Sequence, residues 1–93
     1  MRFTVIWDPA ALDDLMTIWA SDPARRSDVT AAADEIDRTL RQDPQDEGRP
    51  YDGDRILIKL PLAVVFSIDE DDRKVKVIEL RTIGIASDRD EFR

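Results

Sequence analysis

Residues 55–82 read RILIKLPLAVVFSIDEDDRKVKVIELRT, and three strand-length runs can be cut from this stretch. Each is rich in Ile, Leu and Val, and each is bounded by a turn signal, Leu60-Pro61 or Glu70–Arg73. In Leu62–Asp69 the alternation predicts Leu62, Val64, Phe66 and Ile68 inward and Ala63, Val65 and Ser67 outward. In Arg55–Leu60 it separates Ile56, Ile58 and Leu60 from Arg55, Leu57 and Lys59, and the cations are expected on the outer face. Lys74–Thr82 starts with Val75 and Val77 inward and Lys74 and Lys76 outward, then loses phase. A β-bulge near Val77-Ile78 is expected to keep Ile78 and Leu80 inward and to aim Glu79 and Arg81 outward.

Working back toward the N-terminus, residues 43–54, DPQDEGRPYDGD, read as the longest loop. Before it lie two helical stripes. Leu12, Leu15, Met16 and Trp19 recur at i, i+3, i+4 and i+7 in a helix of about residues 9–21. Asp8-Pro9 supplies its cap and first residue. Val29, Ala32, Ala33, Ile36 and Leu40 form the second stripe, which ends near Asp43-Pro44 after a start at Asp22-Pro23. Residues 3–7, Phe-Thr-Val-Ile-Trp, form a first strand. The order is β-α-α-β-β-β. A helical hairpin must then cover one face of one mainly antiparallel sheet, which is a two-layer α+β fold. The other face is left to solvent or a partner. The whole chain, 1–93, reads as one domain, with tail 83–93 open between a short strand, a helical turn and a frayed end.

Composition narrows the chemistry. The 93 residues include 14 basic and 21 acidic side chains, a net charge of −7, and neither His nor Cys. Disulfides, thiolate nucleophiles, imidazole bases and His- or Cys-ligated metals are therefore excluded. The acidic run Asp69–Asp72 offers oxygen ligands, but it lacks the spacing of a calcium loop and reads as a solvated hairpin tip. Neither a cofactor nor a metal is expected. No apolar run approaches the roughly 20 residues of a membrane span. The opening MRFTVIWDP lacks the pattern of a secretory signal, so the expectation is a cytoplasmic protein without membrane contact. Helix carboxylates such as Asp37, four residues before Arg41, read as surface pairs. Trp19 reads as core, and Trp7 as a partly buried staple at the end of the first strand. The role of Tyr51 is open.

The most informative charges are Arg55, Lys59, Lys74, Lys76 and Arg81, all expected on the outer sheet face. Such a face can hold phosphate oxygens or an acidic peptide. It can also be plain alternation in which the polar positions happen to be Lys or Arg.

The chain resembles the RelE/ParE superfamily, the toxins of type II toxin–antitoxin pairs, also described as plasmid-stabilisation proteins. The resemblance is carried by W-D-P-A-A-L-D-D-L-M-T-I-W, I-D-R-T-L-R-Q-D-P, G-R-P-Y, R-I-L-I-K-L, P-L-A-V-V-F-S-I-D and R-K-V-K-V-I-E-L, in that order along the chain. It implies a helical hairpin on a twisted sheet and a cognate antitoxin as partner. It also implies a target, either mRNA on the ribosome, cut without metal through the RNA 2′-hydroxyl, or DNA gyrase. In the mRNA interferase reading Lys59, Arg55 and Arg81 are the catalytic candidates, Lys59 as base. Arg55, Leu57, Lys59, Val65, Lys76 and Arg81 are the expected surface for nucleic acid or an antitoxin segment. The nuclease pattern is incomplete. Ala63 stands where an Arg is usual, Phe66 where a Tyr is common, and Thr82-Ile83 where a Lys-Arg pair is typical. A family member that binds a protein and has lost catalysis is the second reading. A small acidic dimerisation module, acting as a homodimer, is the third.

Overall fold

The computed structural model describes residues 2–83. The order is β1 (Thr4–Trp7), α1 (Pro9–Ser21), α2 (Arg26–Gln42), β2 (Arg49–Tyr51), β3 (Asp54–Lys59), β4 (Leu62–Asp69) and β5 (Lys74–Thr82). Single 3-10 turns, Pro23–Arg25 and Pro44–Asp46, precede and follow α2. The strands form one sheet in the order β1-β5-β4-β3-β2. β1 lies parallel to β5, and the other pairs are antiparallel. The two-layer α+β arrangement is the one expected, with a further strand, β2, inside the stretch read as loop. Readings of the tail beyond Ile83 fall outside the described residues.

The core lies between the helices and one face of the sheet. Val29, Ala32, Ile36 and Leu40 of α2 meet Leu57, Leu62, Val64, Phe66, Val75, Val77 and Leu80. Burying a side chain of the Leu, Ile or Phe kind contributes about 1.5–3 kcal/mol, so this cluster dominates the stability of so short a chain. β1 is tied to α2 at the edge of the core. The Trp7 indole N–H donates to Asp37 at 3.3 Å, and Arg41 donates to the other oxygen of Asp37 at 2.8 Å. The staple expected of Trp7 and the Asp37–Arg41 pair are thus one network.

Helix α1 is rotated from its expected setting. Asp8 caps it, accepting from the Ala10 N–H at 3.3 Å, with Pro9 in the first turn. Its inward line is Ala11, Leu15 and Ile18, spaced i, i+4 and i+7. Leu12, Met16 and Trp19 are exposed, which corrects the placing of Leu12 and Trp19 in the core. The cause is in the packing: α1 lies chiefly on β5, and the small Ala11, fully buried, lets the backbones approach. The apolar residues of α1 cover more of its circumference than one contact can bury.

The bulge in β5 is present. Val65 opposes Glu79 and Phe66 opposes Val77, so Ile78 is the extra residue. Val77 and Leu80 both reach the core as a result, and Glu79 and Arg81 turn outward. Ile78 does not stay inward; it is 37% exposed. A bulge residue leaves the ladder, and here it leaves the core with it.

Candidate functional site: the open face of the sheet

Opposed residues in a β-ladder share a face, so the register assigns every strand residue to a layer. On the face away from the helices stand Thr4 and Ile6 of β1, and Lys74, Lys76, Glu79 and Arg81 of β5. Beside them are Ala63, Val65 and Ser67 of β4, Ile56 and Ile58 of β3, and Arg49 and Tyr51 of β2. Ala63 lies between Ile58 and Arg81, and Val65 between Ile56 and Glu79. Both are buried although no helix covers them, because these longer neighbours shield them. The face is therefore an aliphatic floor with polar side chains at its rim.

Three of the residues expected on this face are not on it. Arg55 opposes Phe66, Leu57 opposes Val64 and Lys59 opposes Leu62, and all three partners belong to the core layer. Leu57 is itself core, 6% exposed. Lys59 reaches α2 and pairs with Glu35 at 3.2 Å. Arg55 donates to the carbonyl oxygens of Glu47 and Gly48 at 2.9 and 3.2 Å, which fastens the loop entering β2. Ile56 and Ile58 take the outer positions instead, and Leu60 is exposed at the turn. The phase of β3 is thus the reverse of the expected one. The signal was in the turn. With only Leu60 and Pro61 between the strands, Lys59 must share a side with Leu62, and Leu62 reads as inward.

Val65, Lys76 and Arg81 stand on the open face as expected. Lys76 lies at its edge, 3.8 Å from the Asp8 carboxylate. Arg81 donates to Glu79 at 2.6 Å. That hydrogen bond and charge, followed by the influence of Tyr51, raise the Arg81 pKa above its ordinary value. Arg81 is thus a permanent cation with a carboxylate already on it. Two residues escaped the sequence reading as site members. Tyr51 is brought to the open face by β2, and Glu79 by the bulge. For Tyr51 the clue was Asp52-Gly53, a two-residue hairpin signal. Both residues take positive φ, 50° and 87°.

Among the described residues no grouping of acidic side chains has the geometry of a metal site, and no helix is long and apolar enough to cross a membrane. The surface hollows are shallow. One of about 230 Å³ lies beside Arg55, Phe66 and Ser67. Another, about 320 Å³, lies between α1 and the end of β5, at Asp14, Ile18 and Arg81. Neither gathers an acid, a base and a free cation.

The chain superposes on a chain of the toxin–antitoxin complex RelBE2 from Mycobacterium tuberculosis with a TM-score of 0.73, at 17% identity, over 88% of this chain and 92% of that one. It superposes on a chain of the chromosomal ParDE TA system from P. aeruginosa with a TM-score of 0.71, at 18% identity, over 89% and 98%. No protein-family model and no curated protein matches the sequence. The chain has a RelE/ParE-like toxin fold.

Proposed function

We propose that this chain is the toxin-like member of a type II toxin–antitoxin pair, acting in the cytoplasm, and that it works by holding a protein target on the open sheet face. The observation that carries the choice of binding over RNA cleavage is the Arg81–Glu79 contact at 2.6 Å. Cleavage through a 2′-hydroxyl needs a base and unengaged cations around the phosphate. Of the three catalytic candidates, Lys59 and Arg55 belong to the helix-side layer and are occupied there. Arg81 alone is on the open face, and its nearest anion is internal. Position 63, where the resemblance would place an Arg, is a buried Ala. An aliphatic floor with a rim of Arg49, Tyr51, Lys76, Glu79 and Arg81 suits a protein surface, since Tyr and Arg are the side chains that most often anchor such contacts. The RelBE2 and ParDE structures support the pairing with an antitoxin by their fold.

Inducible expression with and without the small neighbouring reading frame tests the proposal. Wild-type expression arrests growth, and the neighbour relieves the arrest. The purified protein leaves ribosome-bound mRNA intact. Growth unaffected by expression would overturn the toxin reading. Cleavage at defined mRNA positions, lost in Arg81→Ala, would replace binding with nuclease action.

A further inference from the structure

We propose that Glu79 is the specificity-determining residue of the open face: by occupying Arg81 it turns away the phosphodiester backbone of single-stranded nucleic acid and keeps the face for protein. This rests on the reading of that face as a protein-binding surface. The pair is built into one strand. The step in register after Val77 sends both Glu79 and Arg81 outward. Residues two apart in a strand share a face, so the guanidinium and its carboxylate arrive together.

The Arg81 Nε donates to the Glu79 Oε2 at 2.6 Å, and the two side chains are 55% and 42% exposed. A pair this exposed adds little to stability. Its consequence is for the charge that the face presents. By register the face carries Arg49, Lys74, Lys76 and Arg81 against Asp54, Asp69 and Glu79. These cations are not equivalent. Lys74 stands directly opposite Asp69, and Lys76 lies opposite Ser67 and 3.8 Å from Asp8. Arg49 ends the row Arg49–Ile56–Val65–Glu79, three strand spacings from Glu79, or about 14 Å. Of the three cations on β5, only Arg81 has an aliphatic neighbour across the ladder, the buried Ala63.

A guanidinium standing over an aliphatic floor is where a phosphate would be held by two parallel N–H donors. Glu79 holds that position first. A phosphate that approaches Arg81 must displace the carboxylate or sit beside it, and like charges brought together suppress the wrong partner. The net charge of −7 also repels nucleic acid, but at long range and subject to salt, whereas Glu79 acts at contact. A protein surface meets no such obstacle. It can offer a cation to Glu79, a carboxylate to Arg81 and aliphatic side chains to the floor. The pair thus discriminates between a polyanion and a surface of mixed charge.

The probes are a labelled RNA and a labelled DNA of one sequence, each a single strand of about ten nucleotides, titrated at low salt and read by fluorescence anisotropy. The full chain is compared with Glu79→Gln, Glu79→Ala, Glu79→Gln/Arg81→Ala and Asp13→Asn, after their melting curves are checked against wild type. Asp13→Asn makes the same change in net charge on α1, in the other layer. Wild type binds both probes weakly. Each Glu79 variant binds both at least about tenfold more tightly, and its affinity falls more steeply with salt, by about 0.7 in the logarithmic slope, as one more phosphate contact requires. Asp13→Asn binds as wild type does, and removal of Arg81 abolishes the gain. Equal binding by wild type and the Glu79 variants overturns the proposal. So does an equal gain in Asp13→Asn, which would make net charge the cause, or a gain that survives the loss of Arg81. A gain on RNA alone overturns it too, since the backbone would not be what Glu79 turns away. If wild-type expression does not arrest growth, the toxin reading fails, whereas these titrations still decide the role of Glu79.

Discussion

Lys59 and Leu62 face each other across the Leu60-Pro61 turn, and this pairing puts a lysine on the helix-covered side of the sheet. Leu62 is fully buried. The Lys59 ammonium escapes to the rim of the same layer and finds Glu35 of α2 at 3.2 Å. A lysine stem lying along apolar surface with its charge in water is a common compromise.

The first prediction follows from that pair. The Lys59 side chain is 30% exposed and the Glu35 side chain 51%, so water screens the pair and it contributes no more than about 1 kcal/mol. Lys59→Ala should shift the denaturant midpoint only slightly and leave growth arrest intact. A reversed pair, Lys59→Glu with Glu35→Lys, should recover most of any loss. Loss of growth arrest in Lys59→Ala, with the protein still folded, would return Lys59 to the functional site.

Two glycines separate backbone strain from steric closure. Gly48 has φ +68°, and a Cβ there would meet the Ile56 carbonyl oxygen at 2.2 Å. Gly53 has φ +87°, but a Cβ there meets nothing within 4 Å. Gly53→Ala should lose about 1 kcal/mol, the usual penalty of a left-handed alanine. Gly48→Ala adds displacement of β3 from the loop that Arg55 fastens, and should lose clearly more. Urea titrations of the two variants rank them; equal midpoints would contradict the geometry.

The hairpin supplies a contrast within one fold. Ile36 and Phe66 are fully buried. Ile36→Ala should lose about 2–5 kcal/mol and Phe66→Ala about 3–5. Leu12→Ala, at an exposed position, should stay near 0.5 kcal/mol. A Leu12→Ala loss as large as that of Ile36→Ala would mean that α1 packs on its Leu12 side after all.

How far the fold was legible depended on where two signals agreed. α2 buries one clean stripe, Val29 to Leu40, because it faces the sheet alone along that line, and its periodicity named the core correctly. In α1 the apolar residues span a wider arc, and periodicity alone could not choose between Leu12 and Ala11. β4 is buried on both faces, so its alternation carried less information than it offered. In β3 both faces hold aliphatic residues, and Ile56 and Ile58 looked like the core because they outnumber Leu57. The two-residue turn would have corrected this, since a shift of one residue moves every side chain to the other face. Asp52-Gly53 would likewise have revealed β2 and brought Tyr51 to the open face. The pairing of Arg81 with Glu79 needed only the bulge.

The last prediction concerns Ile78. If Ile78 took a regular place in the ladder, strict alternation from Val77 would send Glu79 and Arg81 into the core and Leu80 out to solvent. The register instead steps from Phe66–Val77 to Val65–Glu79, which buries Leu80 and delivers the Arg81–Glu79 pair to the open face. Ile78 is thus the residue that the ladder leaves out, and its side chain is largely dispensable. Ile78→Thr should keep stability within about 0.5–1 kcal/mol of wild type and preserve growth arrest. Deletion of Ile78 leaves Phe66–Val77 followed directly by Val65–Glu79, a regular register that keeps Leu80 inward and Glu79 and Arg81 outward. The deletion variant should therefore still fold and melt cooperatively by circular dichroism, as Ile78→Thr does. A deletion variant with no cooperative melt would show that the faces of β5 are not set by this register.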